Sequence, residues 1–106
     1  MTEGLKSLLP ENRIKEFLEI GIEKSFYPAE YFLRAGEIPY KIAFVYSGLF
    51  RFVYVNEKGD EFTKAIMPEN RFISSYSAMV KNRPSFFSIE AIEESRVFEI
   101  QWTNFK

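Results

Sequence analysis

Ile42-Ala43-Phe44-Val45-Tyr46-Ser47-Gly48-Leu49-Phe50-Arg51-Phe52-Val53-Tyr54-Val55 is two apolar runs around a Ser-Gly pair. β-branched and aromatic residues suit a pleated, half-buried surface, so each run reads as a strand and Ser47-Gly48 as the reversal between them. Downstream, Lys58-Gly59-Asp60 marks a hairpin and Phe62 to Met67 a return strand, broken by Pro68-Glu69-Asn70. Phe72-Ile73 is short and apolar. The polar stretch from Ser74 to Ser85 holds one short helix, expected between Tyr76 and Lys81. Phe86 to Ile92 and Val97 to Trp102 read as the last strands. Upstream, Phe26-Tyr27-Pro28 and Tyr31-Phe32-Leu33 are short β-prone pieces, and Gly36-Glu37-Ile38-Pro39 is turn chemistry. Short strands spaced about 8–12 residues apart predict a mainly β chain, a jelly-roll barrel over residues 22–101.

The N-terminal segment has a different period. Leu5, Leu8 and Leu9 form a small apolar group, and Pro10 with Glu11 suits a first helical turn. Ile14, Phe17, Leu18 and Gly21 follow at spacings of three and four. This predicts a helix or a pair of helices over residues 4–20, with Gly21 as C-cap.

Composition narrows the function. A length of 106 residues suits one domain. The 12 Phe and 6 Tyr supply a core and favour strands. Net charge is −1, so no basic footprint for nucleic acid is present. With no cysteine, disulfides, zinc–thiolate sites and thiol catalysis are excluded. With no histidine, a Ser–His–Asp triad and the His ligands of a cupin-type metalloenzyme are excluded too. No enzyme, metal or cofactor is expected. The opening MTEGLKSLLPENR lacks a basic region followed by a long apolar stretch, and no apolar run approaches the ~18 residues of a membrane span. A soluble cytoplasmic chain with no membrane contact is the expectation.

From Tyr31 to Trp102 the chain resembles the cyclic-nucleotide-binding domain of Crp/Fnr-type transcriptional regulators. The resemblance rests on ordered landmarks: Leu33-Arg34-Ala35-Gly36-Glu37, Tyr46-Ser47-Gly48-Leu49-Phe50-Arg51, Lys58-Gly59-Asp60-Glu61, Phe72-Ile73, and Ala91-Ile92-Glu93 with Val97-Phe98-Glu99-Ile100. It implies that Phe72-Ile73 begins a phosphate-binding cassette. Family members that bind cyclic nucleotides carry Gly-Glu at the cassette start, the Glu accepting from the ribose 2′-hydroxyl. About ten residues later an Arg-Ser/Thr-Ala triplet supplies an Arg for the cyclic phosphate. Here Ser74-Ser75 and Ser85-Phe86-Phe87 hold those positions. The spacing is kept and both charges are gone, with Phe86 and Phe87 replacing small residues and expected to fill the space.

Ser74, Ser75, Tyr76, Ser77, Arg83 and Ser85 are the candidate ligand-binding residues. Several also have a plainer reading. Ser74, Ser75 and Ser77 suit N-caps, and Arg83, beside Lys81 and Asn82, suits a solvated loop. Asn70 tolerates positive φ and can keep its turn. Phe44, Phe50, Phe52, Phe62, Phe86 and Phe98 read as core rather than as the lining of an apolar ligand cavity. Asp60 and Glu61, adjacent on a strand, face opposite sides and make a poor acid–base pair.

These readings converge on residues 1–106 as the sensor domain of a Crp/Fnr-type regulator. Its effector is an unidentified small molecule, or none. The resemblance implies a homodimer whose DNA contacts lie in a C-terminal domain, after a dimerisation helix beyond Lys106. Trp102 and Phe105, large aromatics at the end, read as a cut before that helix. The alternative is a stand-alone module holding a small anion or nucleotide through the backbone of Ser74–Ser77.

Overall fold

A computed structural model describes residues 10–101. The element order is α1 (Glu11–Ile20), β1 (Ile22–Phe26), β2 (Tyr31–Leu33), β3 (Lys41–Ser47), β4 (Leu49–Val55), β5 (Glu61–Pro68), β6 (Arg71–Ile73), α2 (Tyr76–Lys81), β7 (Ser88–Ala91) and β8 (Ser95–Gln101). The part of the expected helix over residues 4–9, and the terminal Trp102 and Phe105, lie outside the described residues.

The strands form two antiparallel sheets, ordered β1-β8-β3-β6 and β2-β7-β4-β5. The pairs β1–β8, β2–β7, β3–β6 and β4–β5 nest inside one another. The chain is therefore one long antiparallel ribbon, folded over so that its strands fall alternately into the two sheets. That is the jelly roll the spacing predicted. The ribbon's tip is the turn before β5. There Asn56 Oδ1 accepts from the backbone N–H groups of Lys58 and Asp60, both at 2.9 Å.

The core between the sheets includes Phe32, Val45, Phe50, Ile73, Ile89 and Val97, each at most 4% exposed. A second cluster lies on the other face of the first sheet, where α1 lays Ile14 and Phe17 over Phe44 and Ile100. Phe17 meets the ring of Phe72 edge-on at 5.8 Å and that of Phe98 at 5.3 Å. So β3 is covered on both sides. Ala43 and Val45 face the opposite sheet and Phe44 faces α1. This is why Ile42 to Val45 is continuously apolar instead of alternating.

Two glycines answer to close approach. Gly48, at φ +108°, turns β3 into β4, and a Cβ there would stand 2.5 Å from the Cα of Ser95. Gly21 does cap α1, donating its N–H to the Phe17 carbonyl at 3.1 Å, but its backbone is extended rather than left-handed. What demands glycine there is the Phe98 ring, one of whose carbons would lie 2.7 Å from a Cβ.

Asn70 takes positive φ, at 68°, as expected. Glu61 and Asp60 diverge. Glu61 joins Arg51 at 3.4 Å, while Asp60 stays in the turn. The aromatic series splits. Phe44 and Phe50 are fully buried and Phe52 and Phe98 half-buried, but Phe62 is 44% exposed and Phe86 91% exposed. Strand β7 begins at Ser88, not Phe86. Phe86 therefore falls in a loop with no sheet to pack it.

Candidate functional site

The cassette runs from the end of β6 to the start of β7. Ser74 leaves β6 and its hydroxyl donates to the Lys41 carbonyl at 3.2 Å. Ser75 occupies the N-cap position of α2 without a side-chain capping bond. The capping reading fails for this residue because its hydroxyl is engaged elsewhere. It lies 2.9 Å from the hydroxyl of Ser85. Both serines are buried, at 4% and 3% exposure.

Ser85 is further tied down. Its Oγ is 2.7 Å from the Phe87 carbonyl oxygen and accepts from the Phe87 N–H at 3.2 Å. Its backbone pairs with the Gly36–Glu37 turn through two bonds of 2.9 Å. Buried hydroxyls are stable only when so satisfied. The two ends of the cassette are thus clipped together by neutral hydroxyls in a buried contact.

Between the clipped ends, α2 is six residues long and buries Ala78 and Met79. Asn82, left-handed at φ 55° and ψ 49°, ends it. Its own N–H and that of Arg83 satisfy the last carbonyls. The turn leaves Arg83 exposed.

A cleft of about 240 Å³ lies over this segment, lined among others by Lys64, Ser77, Lys81, Arg83, Phe86 and Phe87. Of the six residues singled out in the sequence, Ser75, Ser77 and Arg83 line it. Ser74, Tyr76 and Ser85 stand outside it, with Tyr76 57% exposed. Among the described residues, no carboxylate lines the cleft. Among the described residues, Lys64, Lys81 and Arg83 form no ion pair. Lys64 instead sits 5.3 Å over the Phe87 ring.

Lys64 escaped the sequence reading. It falls where the β4–β5 register shifts, since Phe52 faces Ala65 and Val53 faces Thr63. It is the extra residue of a bulge, a device that re-aims a side chain. Nothing in a run of alternating residues marks which one will be bulged.

Phe86 and Phe87 do not jointly fill the cassette as expected. Phe87 stacks on Phe52 at 4.8 Å. Phe86 turns outward and lines both the cleft and a neighbouring groove of about 360 Å³, whose other walls are Tyr54, Lys64 and Phe87. Elsewhere a cleft of about 330 Å³ runs along Tyr31, Arg34 and Lys41, and the Glu37 carboxylate lines it as well. Arg34 lies over the Tyr31 ring at 4.2 Å, and Lys41 pairs with Glu99 at 3.6 Å. No helix among the described residues is long and apolar enough to cross a membrane.

The described residues thus form a jelly roll with a short helix between its sixth and seventh strands. The family model for the cyclic nucleotide-binding domain matches residues 23–106, and the chain belongs to that family. It is a family of binding domains, and the fold is shared with Crp/Fnr-type transcriptional regulators. The Thermus thermophilus catabolite activator protein superposes with a TM-score of 0.80 at 14% identity, over 92% of this chain and 45% of that one. A putative cAMP-binding regulatory protein from Silicibacter pomeroyi DSS-3 gives 0.83 at 21% identity, over 92% and 44%. The sensor domain of the transcriptional regulator DNR from Pseudomonas aeruginosa gives 0.81 at 16%, over 96% and 68%. This chain spans less than half the length of the first two. A search of curated proteins found no match.

Proposed function

We propose that this chain is the effector-sensing domain of a Crp/Fnr-type regulator whose cassette serves an anion other than a cyclic nucleotide. The observation that carries this is the buried 2.9 Å contact between the Ser75 and Ser85 hydroxyls. On the family resemblance, those positions belong to the ribose-binding Glu and the phosphate-binding Arg. A serine pair offers neither the charge nor the bidentate fork that a cyclic phosphate uses. The anion is held by Lys64, Lys81 and Arg83, with Ser77 beside them, where no carboxylate competes. The chain carries no catalytic role. DNA contact and dimerisation belong to other parts of the whole protein.

Calorimetric titration with cyclic AMP and cyclic GMP tests the first half. No micromolar isotherm is expected, and a clear one on the unmodified protein sinks the reading. Ser75→Glu with Ser85→Arg is expected to stay silent and to lower the melting temperature. Both side chains sit in a buried contact at under 5% exposure, where new charge without a partner is costly. Inorganic phosphate tests the second half. A rise in melting temperature is expected from any ligand that binds the native state, and its absence up to millimolar phosphate counts against an anion site.

A further inference from the structure

We propose that the cleft over α2 and the groove beside it form one two-part site, whose ligand is a phosphomonoester carried on a flat ring, such as a noncyclic nucleoside monophosphate. This rests on the anion reading above and names the ligand class for it. The two hollows share Lys64, Phe86 and Phe87, so they are neighbours with a common wall. Joined, they reach the ordinary size of ligand pockets, about 300–1,000 Å³. Their chemistry differs. The first gathers Lys64, Lys81 and Arg83 without a carboxylate. The second is aromatic, with Tyr54 and Phe86 exposing their rings at 41% and 91%.

Charge selects the anion. A cyclic phosphate is a diester with a single negative charge, whereas a phosphomonoester carries about −1.5 to −2 near neutrality. Three cations without a counter-charge suit the second. Their long exposed stems also suit a terminal group reached from solvent, not one locked into a buried cassette. The aromatic side selects the ring. A phenylalanine at 91% exposure keeps nearly all its apolar surface in water, and its truncation would cost the free protein little. It lines both hollows. Tyr54 lines the same groove and stacks on the Phe62 ring at 5.4 Å. Stacking on such rings is tolerant of base identity, so the ring is specified as flat and not by its edge.

Titration of the full-length protein with inorganic phosphate, adenosine, 5′-AMP and cyclic AMP separates the parts. 5′-AMP is expected to bind about tenfold or more tighter than inorganic phosphate, the gain expected of one base–aromatic stack. Adenosine and cyclic AMP should bind more weakly than 5′-AMP. Phe86→Ala should erase the advantage of 5′-AMP over inorganic phosphate. Lys81→Gln with Arg83→Gln should weaken both. Phosphate binding with no gain from the ring overturns the two-part site and leaves the anion reading standing; no binding of phosphate or of 5′-AMP takes both down. A lower melting temperature of ligand-free Phe86→Ala would place the ring against protein, and that too overturns the proposal.

Discussion

Phe86 and Phe87 are neighbours of the same type with opposite fates. Phe87 stacks on Phe52, and Phe86 faces water. The chain bends at both residues before the strand begins at Ser88, so the two side chains part. Tyr46 shows how one side chain records its surroundings. Burial, then its hydrogen bond to Glu23, raises its pKa above the usual 10.0, while Arg96 pulls the other way. The folded state thus holds the phenolic proton after the unfolded chain has released it. That contribution to stability is complete below pH 10 and is lost as pH rises through the folded-state pKa. Denaturant midpoints followed above pH 10 should fall more steeply for the native chain than for Tyr46→Phe. Parallel curves would contradict this.

At the scale of elements, α2 shows how a six-residue helix is held without a strong N-cap. Isolated helices this short do not persist in water. Here Ala78 and Met79 anchor it, and Asn82 closes it in the left-handed region. Asn82→Gly should leave stability within about 0.5 kcal/mol, whereas Asn82→Val, forced to the same φ, should cost about 1–2 kcal/mol. Urea midpoints compare the two; equal losses would mean that the φ value is not what Asn82 supplies. The limits of α2 were legible because polar residues bound it and Asn82-Arg83-Pro84 stops it. The start of β7 was not. Phe86-Phe87 has the propensity of a strand, but Ser85 is already bonded to the Gly36–Glu37 turn, which directs the chain away from the sheet for two residues. Propensity yields to such long-range pairing.

For the whole molecule, the nested ribbon puts distant parts of the sequence side by side. β8 lies between β1 and β3 and is the only partner of β1 among the described strands. A chain ending at Glu94 would leave β1 unpaired and expose the faces that Val97 and Ile100 cover. It is expected to give no cooperative thermal transition by circular dichroism and a poorly dispersed amide spectrum. A sharp transition near that of the native chain would contradict the central place assigned to β8. The same nesting makes folding depend on non-local pairs, which places it among the slower two-state folders, in milliseconds to seconds.

The order of residues was sufficient for the mainly β class, the helix before it, the reversals at Gly48 and Gly59 and the short helix from Tyr76. All of these follow from local propensity, turn chemistry and spacing, which a single stretch of chain carries within itself. The sequence also displayed Ser75 and Ser85 at cassette positions, but not that their hydroxyls would meet. That contact, the bulge that turns Lys64 toward α2, the cover that α1 gives to Phe44, and the outward ring of Phe86 all depend on which strands lie beside which. Side chains many residues apart acquire a shared environment only once the ribbon has folded back on itself. The charge and shape of the cleft belong to that meeting, and no segment holds them alone.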